Sequence, residues 1–72
     1  MYMVNQTPLG AQLRAWRLRR GLTQGALAER AGLSHIFVAK VEGGARLPSW
    51  PTLERLARVL KVTVRIELVG RS

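Results

Sequence analysis

The chain has 72 residues, of which 12 are Lys or Arg and 4 are Asp or Glu, giving a formal net charge of +8 with a hydrophobic share of 47% and no cysteine. This length suits one domain burying roughly 60% of the surface its unfolded chain would expose. The composition excludes disulfides, thiolate chemistry and cysteine-ligated zinc, and a single histidine, His35, cannot build a metal cluster.

Leu9, Leu13, Trp16 and Arg17 recur at helical spacing after Thr7-Pro8, which predicts a first helix over about 8–20, capped by Thr7 and stopped by Gly21. Thr23 is placed to cap a second helix whose face is Leu27, Ala28 and Ala31, with Gly32 ending it. Ser34 then caps a short third helix to Glu42, with Val38 and Val41 facing inward and Gly43-Gly44 closing it. The stretch ARLPSWP, 45–51, reads as a loop, and Pro51 or Thr52 opens a fourth helix with Leu53, Leu56, Ala57 and Leu60 on one face. Beyond Lys61 the period becomes two. VTVRIELV sets Val62, Val64, Ile66 and Leu68 against Thr63, Arg65 and Glu67, the pattern of a strand. A lone strand needs a partner, and the candidates are the N-terminal MYMVN and the same strand of a second copy, the copy being favoured because pairing adds buried area. The alternative is that this segment starts a fifth helix or frays.

RGLTQGALAERAGLSHIFVAKVEGG, followed by TLERLARVLKV, resembles the helix-turn-helix of the XRE, Cro and phage-repressor type over about residues 9–62. The fold implied is all-α, a four-to-five-helix lambda-repressor-like domain spanning 1–72 with its core at 8–61. In that family the second helix of the motif lies in the major groove and the first crosses the backbone. Position by position, the resemblance implies that Gln24 meets a phosphate and that Ser34 combines capping with a phosphate contact. It also implies that His35, Ile36 and Lys40 face base edges, with Ala39 nearby. Lys40 can donate to guanine or to a phosphate, His35 can donate or accept, and Ile36 can meet only an apolar feature such as a thymine methyl. Phe37 is left open between a thymine methyl and a protein contact. Arg17 and Glu42 match a pair bridging the first helix to the end of the reading helix. Arg46 matches a phosphate contact in the following loop, and Arg14, Arg19 and Arg20 are candidates for extending that rim. Arg55, Arg58, Lys61 and Arg65 read as solvated surface, Trp16 as core, and Trp50 as a lid over the core or a dimer contact. Gly25, where relatives carry a polar helix former, has no functional account.

The strand 62–69 is similar to that of HipB-type antitoxins, which implies dimerisation through Val62, Val64, Ile66 and Leu68. The leading expectation is therefore a sequence-specific, homodimeric transcriptional repressor reading an inverted repeat in double-stranded DNA. An antitoxin that also binds a toxin protein, and a protein-interaction module using Ile36 and Phe37, are the alternatives. The charge independently calls for a polyanionic partner, set against a merely arginine-rich solvated surface. Glu29, Glu42, Glu54 and Glu67 are scattered without pairing spacing, so neither an enzyme nor a cofactor is expected. No apolar run approaches the ~20 residues that cross a bilayer, and MYMVNQTPLG lacks the pattern of a secretory signal, so a cytoplasmic protein with no membrane partner is expected.

Overall fold

The computed structural model describes residues 8–71, and four helices follow one another in it: α1 (Leu9–Arg19), α2 (Gln24–Ala31), α3 (His35–Glu42) and α4 (Trp50–Leu60). Three begin on a side-chain cap. Thr23 Oγ1 accepts from the Ala26 amide at 3.0 Å, Ser34 Oγ from Phe37 at 3.0 Å and Ser49 Oγ from Thr52 at 3.4 Å. The fourth helix therefore starts earlier than expected, at Trp50, with Ser49 as its cap and Pro51 inside the first turn, where a missing N–H breaks no helical bond. For α1, Pro8 stands at the cap without a side-chain bond, and the expected cap Thr7 lies outside the described residues.

All four helices end alike. A residue in the left-handed region is followed by an amide that bonds back to the last turn: Leu22 to Arg17 at 3.0 Å, Leu33 to Ala28 at 2.8 Å, Ala45 to Lys40 at 2.9 Å and Val62 to Ala57 at 3.0 Å. Gly32 (φ 71°) makes the sharp turn between α2 and α3 at no steric cost, whereas α4 ends on Lys61 (φ 57°), the non-glycine exception, at a cost of about 1 kcal/mol.

The core joins Leu13 of α1, Leu27, Ala28 and Ala31 of α2, Val38 and Val41 of α3, and Leu53, Leu56, Ala57 and Leu60 of α4. Each fully buried leucine contributes about 2 kcal/mol by leaving water. α3 packs on both α1 and α2, and α2 packs on α4. The α1–α3 crossing depends on Gly10, since a Cβ there would come within 2.3 Å of the Val41 carbonyl oxygen and 2.7 Å of that of Glu42. Two arginines tie helix ends together. Arg20 donates from Nε to the Leu60 carbonyl at 2.7 Å and from Nη2 to that of Lys61 at 3.3 Å, while Arg55 Nη1 reaches the Ala31 carbonyl at 3.3 Å. Arg20 is thus drawn to the end of α4 rather than free for an outer basic rim, and Arg55 is not simply solvated, because carbonyls at helix ends lack intrahelical donors.

Residues 62–71 carry no strand, contrary to the expectation for 62–69. A strand exists only through its partner's backbone, and the described residues of this chain supply none. The period of two nevertheless survives in the burial: Val62 and Val64 are half-buried against the core, with Thr63 and Arg65 exposed between and after them. Val62 and Val64 line a groove with Leu9, Trp16 and Leu53. Ile66 and Leu68 continue the same face past the edge of the helices and are 67% and 93% exposed. The other proposed partner, MYMVN, lies outside the described residues. Among those residues no helix is long and apolar enough to cross a membrane.

Candidate nucleic-acid interface

Arg17 is a buried residue in the last turn of α1, and its guanidinium finds its counter-charge at the last residue of α3. Nε donates to Glu42 Oε2 at 2.7 Å and Nη2 to Oε1 at 3.0 Å, while Nη1 donates to the Leu22 carbonyl at 2.8 Å. The two side chains are 8% and 3% exposed, so this is a buried, bidentate bridge. The hydrogen bond to Glu42 raises the Arg17 pKa above its usual value, against the opposing cost of burial and with help from the carboxylate charge. A cation whose pKa is raised on folding contributes its stability below the unfolded value and loses it as pH rises through the folded one. The arginine side of this bridge therefore weakens only in strong alkali.

Glu42 also organises the start of α2. Its Oε1 accepts from Gln24 Nε2 at 3.1 Å, and Gln24 Oε1 lies 3.2 Å from His35 Nε2. The carboxylate can only accept, so the Gln24 amide must turn its nitrogen to Glu42 and its oxygen to His35, which makes His35 Nε2 the donor. One chain of hydrogen bonds thus runs from the N-terminal residue of α3 through the first residue of α2 to the C-terminal residue of α3 and on to α1. The resemblance assigned the Gln24 amide to a phosphate; in the folded chain both ends of that amide are engaged by protein. His35 keeps only Nδ1 uncommitted in this chain of bonds, and that atom lies 3.9 Å from where a Cβ on Gly25 would sit. An alanine at position 25 would therefore meet the imidazole only in ordinary van der Waals contact.

With one face of α3 anchored, the other is open. His35, Ile36 and Lys40 are exposed, Ile36 at 68%, and Ala39 is half-buried between them. Ser34 serves as the cap. Phe37 is half-buried against the core with the Arg46 guanidinium 5.2 Å over its ring. Arg46 is held there by the turn after α3, where the amides of both Ala45 and Arg46 bond to the Lys40 carbonyl at 2.9 and 3.2 Å. Trp16 is half-buried against the core, with Arg19 and Arg20 4.8 and 5.1 Å from its ring, and Trp50 is 44% exposed at the start of α4. Neither α2 nor α3 has an acidic residue in its first turn, so the positive ends of both helix dipoles are uncompensated there. Among the described residues no three His, Cys, Asp or Glu side chains gather in a metal-binding group.

Sequence reasoning missed the Gln24 link and the Gly10 contact. The link had a faint signal, since His35 and Glu42 are seven apart on one helix and so share a face. The Gly10 contact had none, because it depends on a crossing between helices distant in sequence.

A family model described as a helix-turn-helix domain matches residues 8–68. The chain belongs to this helix-turn-helix family. Its helix-turn-helix is α2, the Gly32 turn and α3. The chain is 44% identical over 57 residues to an uncharacterized HTH-type transcriptional regulator, RghRB, of Bacillus subtilis, covering 78% of this chain and 41% of that protein. It is 41% identical over 56 residues to the immunity repressor protein of Bacillus phage phi105, covering 78% and 39%. It therefore spans about two fifths of the length of these relatives. Among solved structures, the master regulator for biofilm formation SinR, in complex with DNA, superposes with a TM-score of 0.72 at 29% identity over 75% of this chain and 87% of that one.

Proposed function

We propose that this chain is a sequence-specific DNA-binding transcriptional regulator, most simply a repressor, that sets α3 in the major groove of duplex DNA. The observation that carries this reading is the division of α3 into two faces. Val38, Val41 and the Arg17–Glu42 bridge fix one face to the rest of the domain, and the other offers Ile36, Ala39 and Lys40 on an α-helix, an element the major groove admits. The net charge of +8 and the two uncompensated helix N-termini favour a polyanion on that side. The names of the relatives, a regulator and an immunity repressor, and the DNA complex of the structural neighbour point the same way.

In this reading Ile36 meets an apolar feature such as a thymine methyl, and Lys40 donates to guanine or phosphate. Ser34 and the backbone at the start of α2 approach phosphates, and Arg46, steadied by Phe37, lies along the backbone. Gln24 acts as a positioning residue holding His35. The working form is a homodimer on an inverted repeat, built through Val62, Val64, Ile66 and Leu68, acting in the cytoplasm.

Selection of bound sequences from a random duplex pool tests the reading directly. An enriched motif is expected, with affinity falling by about 0.9 log unit per log unit of salt for each phosphate contact. Ile36→Ala should relax preference at one base step while leaving the salt slope unchanged. A pool with no enriched motif, or affinity indifferent to salt, would overturn the proposal.

A further inference from the structure

The hydrogen bonds at the start of α3 fix more than the position of His35; they fix which kind of hydrogen bond it offers outward. Glu42, clamped by Arg17 Nε at 2.7 Å and Nη2 at 3.0 Å, presents oxygens that only accept, so the Gln24 amide nitrogen must point to it across 3.1 Å. Turning that amide over would set Gln24 Oε1 against Glu42 Oε1 with no proton between them. Gln24 Oε1 is thereby aimed at His35 Nε2, 3.2 Å away, and an oxygen there is met only by a protonated nitrogen. In the neutral imidazole the other nitrogen, Nδ1, is then a bare lone pair, and none of the described residues donates to it.

We infer that His35 reads the exocyclic amine of an adenine or a cytosine in the major groove, with a polarity handed to it from Arg17 through Glu42 and Gln24. This deepens the DNA reading proposed above and rests on it. The elimination is chemical. Guanine offers N7 and O6 in the major groove and thymine offers O4, all acceptors, and phosphate oxygens are acceptors too. None of these can bond to a neutral imidazole whose outward nitrogen is itself an acceptor. Adenine N6 and cytosine N4 remain, the two amines exposed there. His35 is placed to reach one of them because it opens α3, and the N-terminal residues of the second helix in a helix-turn-helix contact base edges. The exposed side chains of α3 then divide the groove's chemistry between them: an acceptor at His35, an apolar surface at Ile36 and a donor at Lys40.

Two measurements test this, the first without DNA. His35 is the single histidine of the chain, so the imidazole nitrogen resonances of the isotope-labelled protein belong to it alone. At about pH 8.5, where an ordinary imidazole is neutral, Nε2 is expected to be protonated and Nδ1 bare. The opposite tautomer, or an even mixture, overturns the inference whatever the protein binds. The second measurement is duplex binding at the same pH, using the motif recovered by selection. His35→Ala should erase the preference at one position, and the wild type should hold adenine or cytosine there. Replacing that base by its analogue without the amine, unsubstituted purine for adenine or pyrimidinone for cytosine, should weaken wild-type binding about fivefold and leave His35→Ala unaffected. Gln24→Leu, which keeps the Arg17–Glu42 bridge and frees the imidazole, should reduce the preference at that position to within about twofold. Preferences elsewhere and the salt slope should hold, which a general loss of structure would not allow. Guanine or thymine at the position that depends on His35, or equal binding of the amine-free analogue, overturns the inference. A motif that keeps every preference in His35→Ala removes this inference alone, whereas a pool with no enriched motif removes the DNA reading and this inference with it.

Discussion

α3 and the segment 62–71 are both short and apolar with charges interspersed, yet they end up in opposite conditions. α3 buries Val38 and Val41 almost completely and closes on α1 through Glu42, whereas the later segment half-buries Val62 and Val64 and leaves Ile66 and Leu68 in water. The difference lies in where the partner is. A helix satisfies its own backbone and needs only side-chain neighbours, which α1 and α2 provide. A strand must borrow another backbone for its hydrogen bonds, and the described residues have none to lend.

Removing the anchor of α3 should have the largest effect. Glu42→Ala leaves Arg17 buried without a counter-charge and releases Gln24, and is expected to cost about 3 kcal/mol, read as a fall of the thermal midpoint by roughly 10–20 °C. Replacing both partners with apolar residues, as in Arg17→Met with Glu42→Leu, should lose less than the single change. An unchanged midpoint in Glu42→Ala would show that the bridge does not anchor α3. Next comes the crossing itself: Gly10→Ala drives a methyl into the Val41 and Glu42 carbonyls and should cost about 2 kcal/mol by urea denaturation. At the boundary between the two regions the sign reverses. Lys61→Gly relieves the left-handed strain at the end of α4 and should add up to about 1 kcal/mol, measured in the same way. The smallest effect belongs to the unpartnered end. In dilute solution Leu68→Ser should change stability by less than about 0.5 kcal/mol, while Val64→Ser, which loses a packed side chain, should cost more. Equal effects at the two positions would erase the contrast between the halves of the segment.

The four helices were legible because caps and stops are local chemistry. Thr23 and Ser34 offer a hydroxyl three residues before an amide that needs one, and Gly21 and Gly32 tolerate the backbone that ends a helix. Ser49 was overlooked because Pro51 offered a more conspicuous start. The inward set Leu27, Ala28, Val38, Val41, Leu53, Leu56 and Leu60 followed from period alone. The candidate interface was legible in part. The outward positions Ile36 and Lys40 follow from α3 being a helix with its other face buried, but the contacts of Gln24 and Phe37 do not, because each is made with a neighbour from outside its own helix: Glu42 for Gln24, Arg46 for Phe37.

By itself, then, the sequence determined the helices, their inward faces, the basic character of the surface and the change to a period of two after Lys61, all of which depend on residues within a few positions of one another. Only the tertiary structure decided that Gly10 admits α3, that the exposed Arg20 and Arg55 also bond to carbonyls at helix ends, that Gln24 holds His35, and that Val62 and Val64 find cover while Ile66 and Leu68 do not. Those outcomes depend on distances between residues far apart in the chain, which no local pattern encodes.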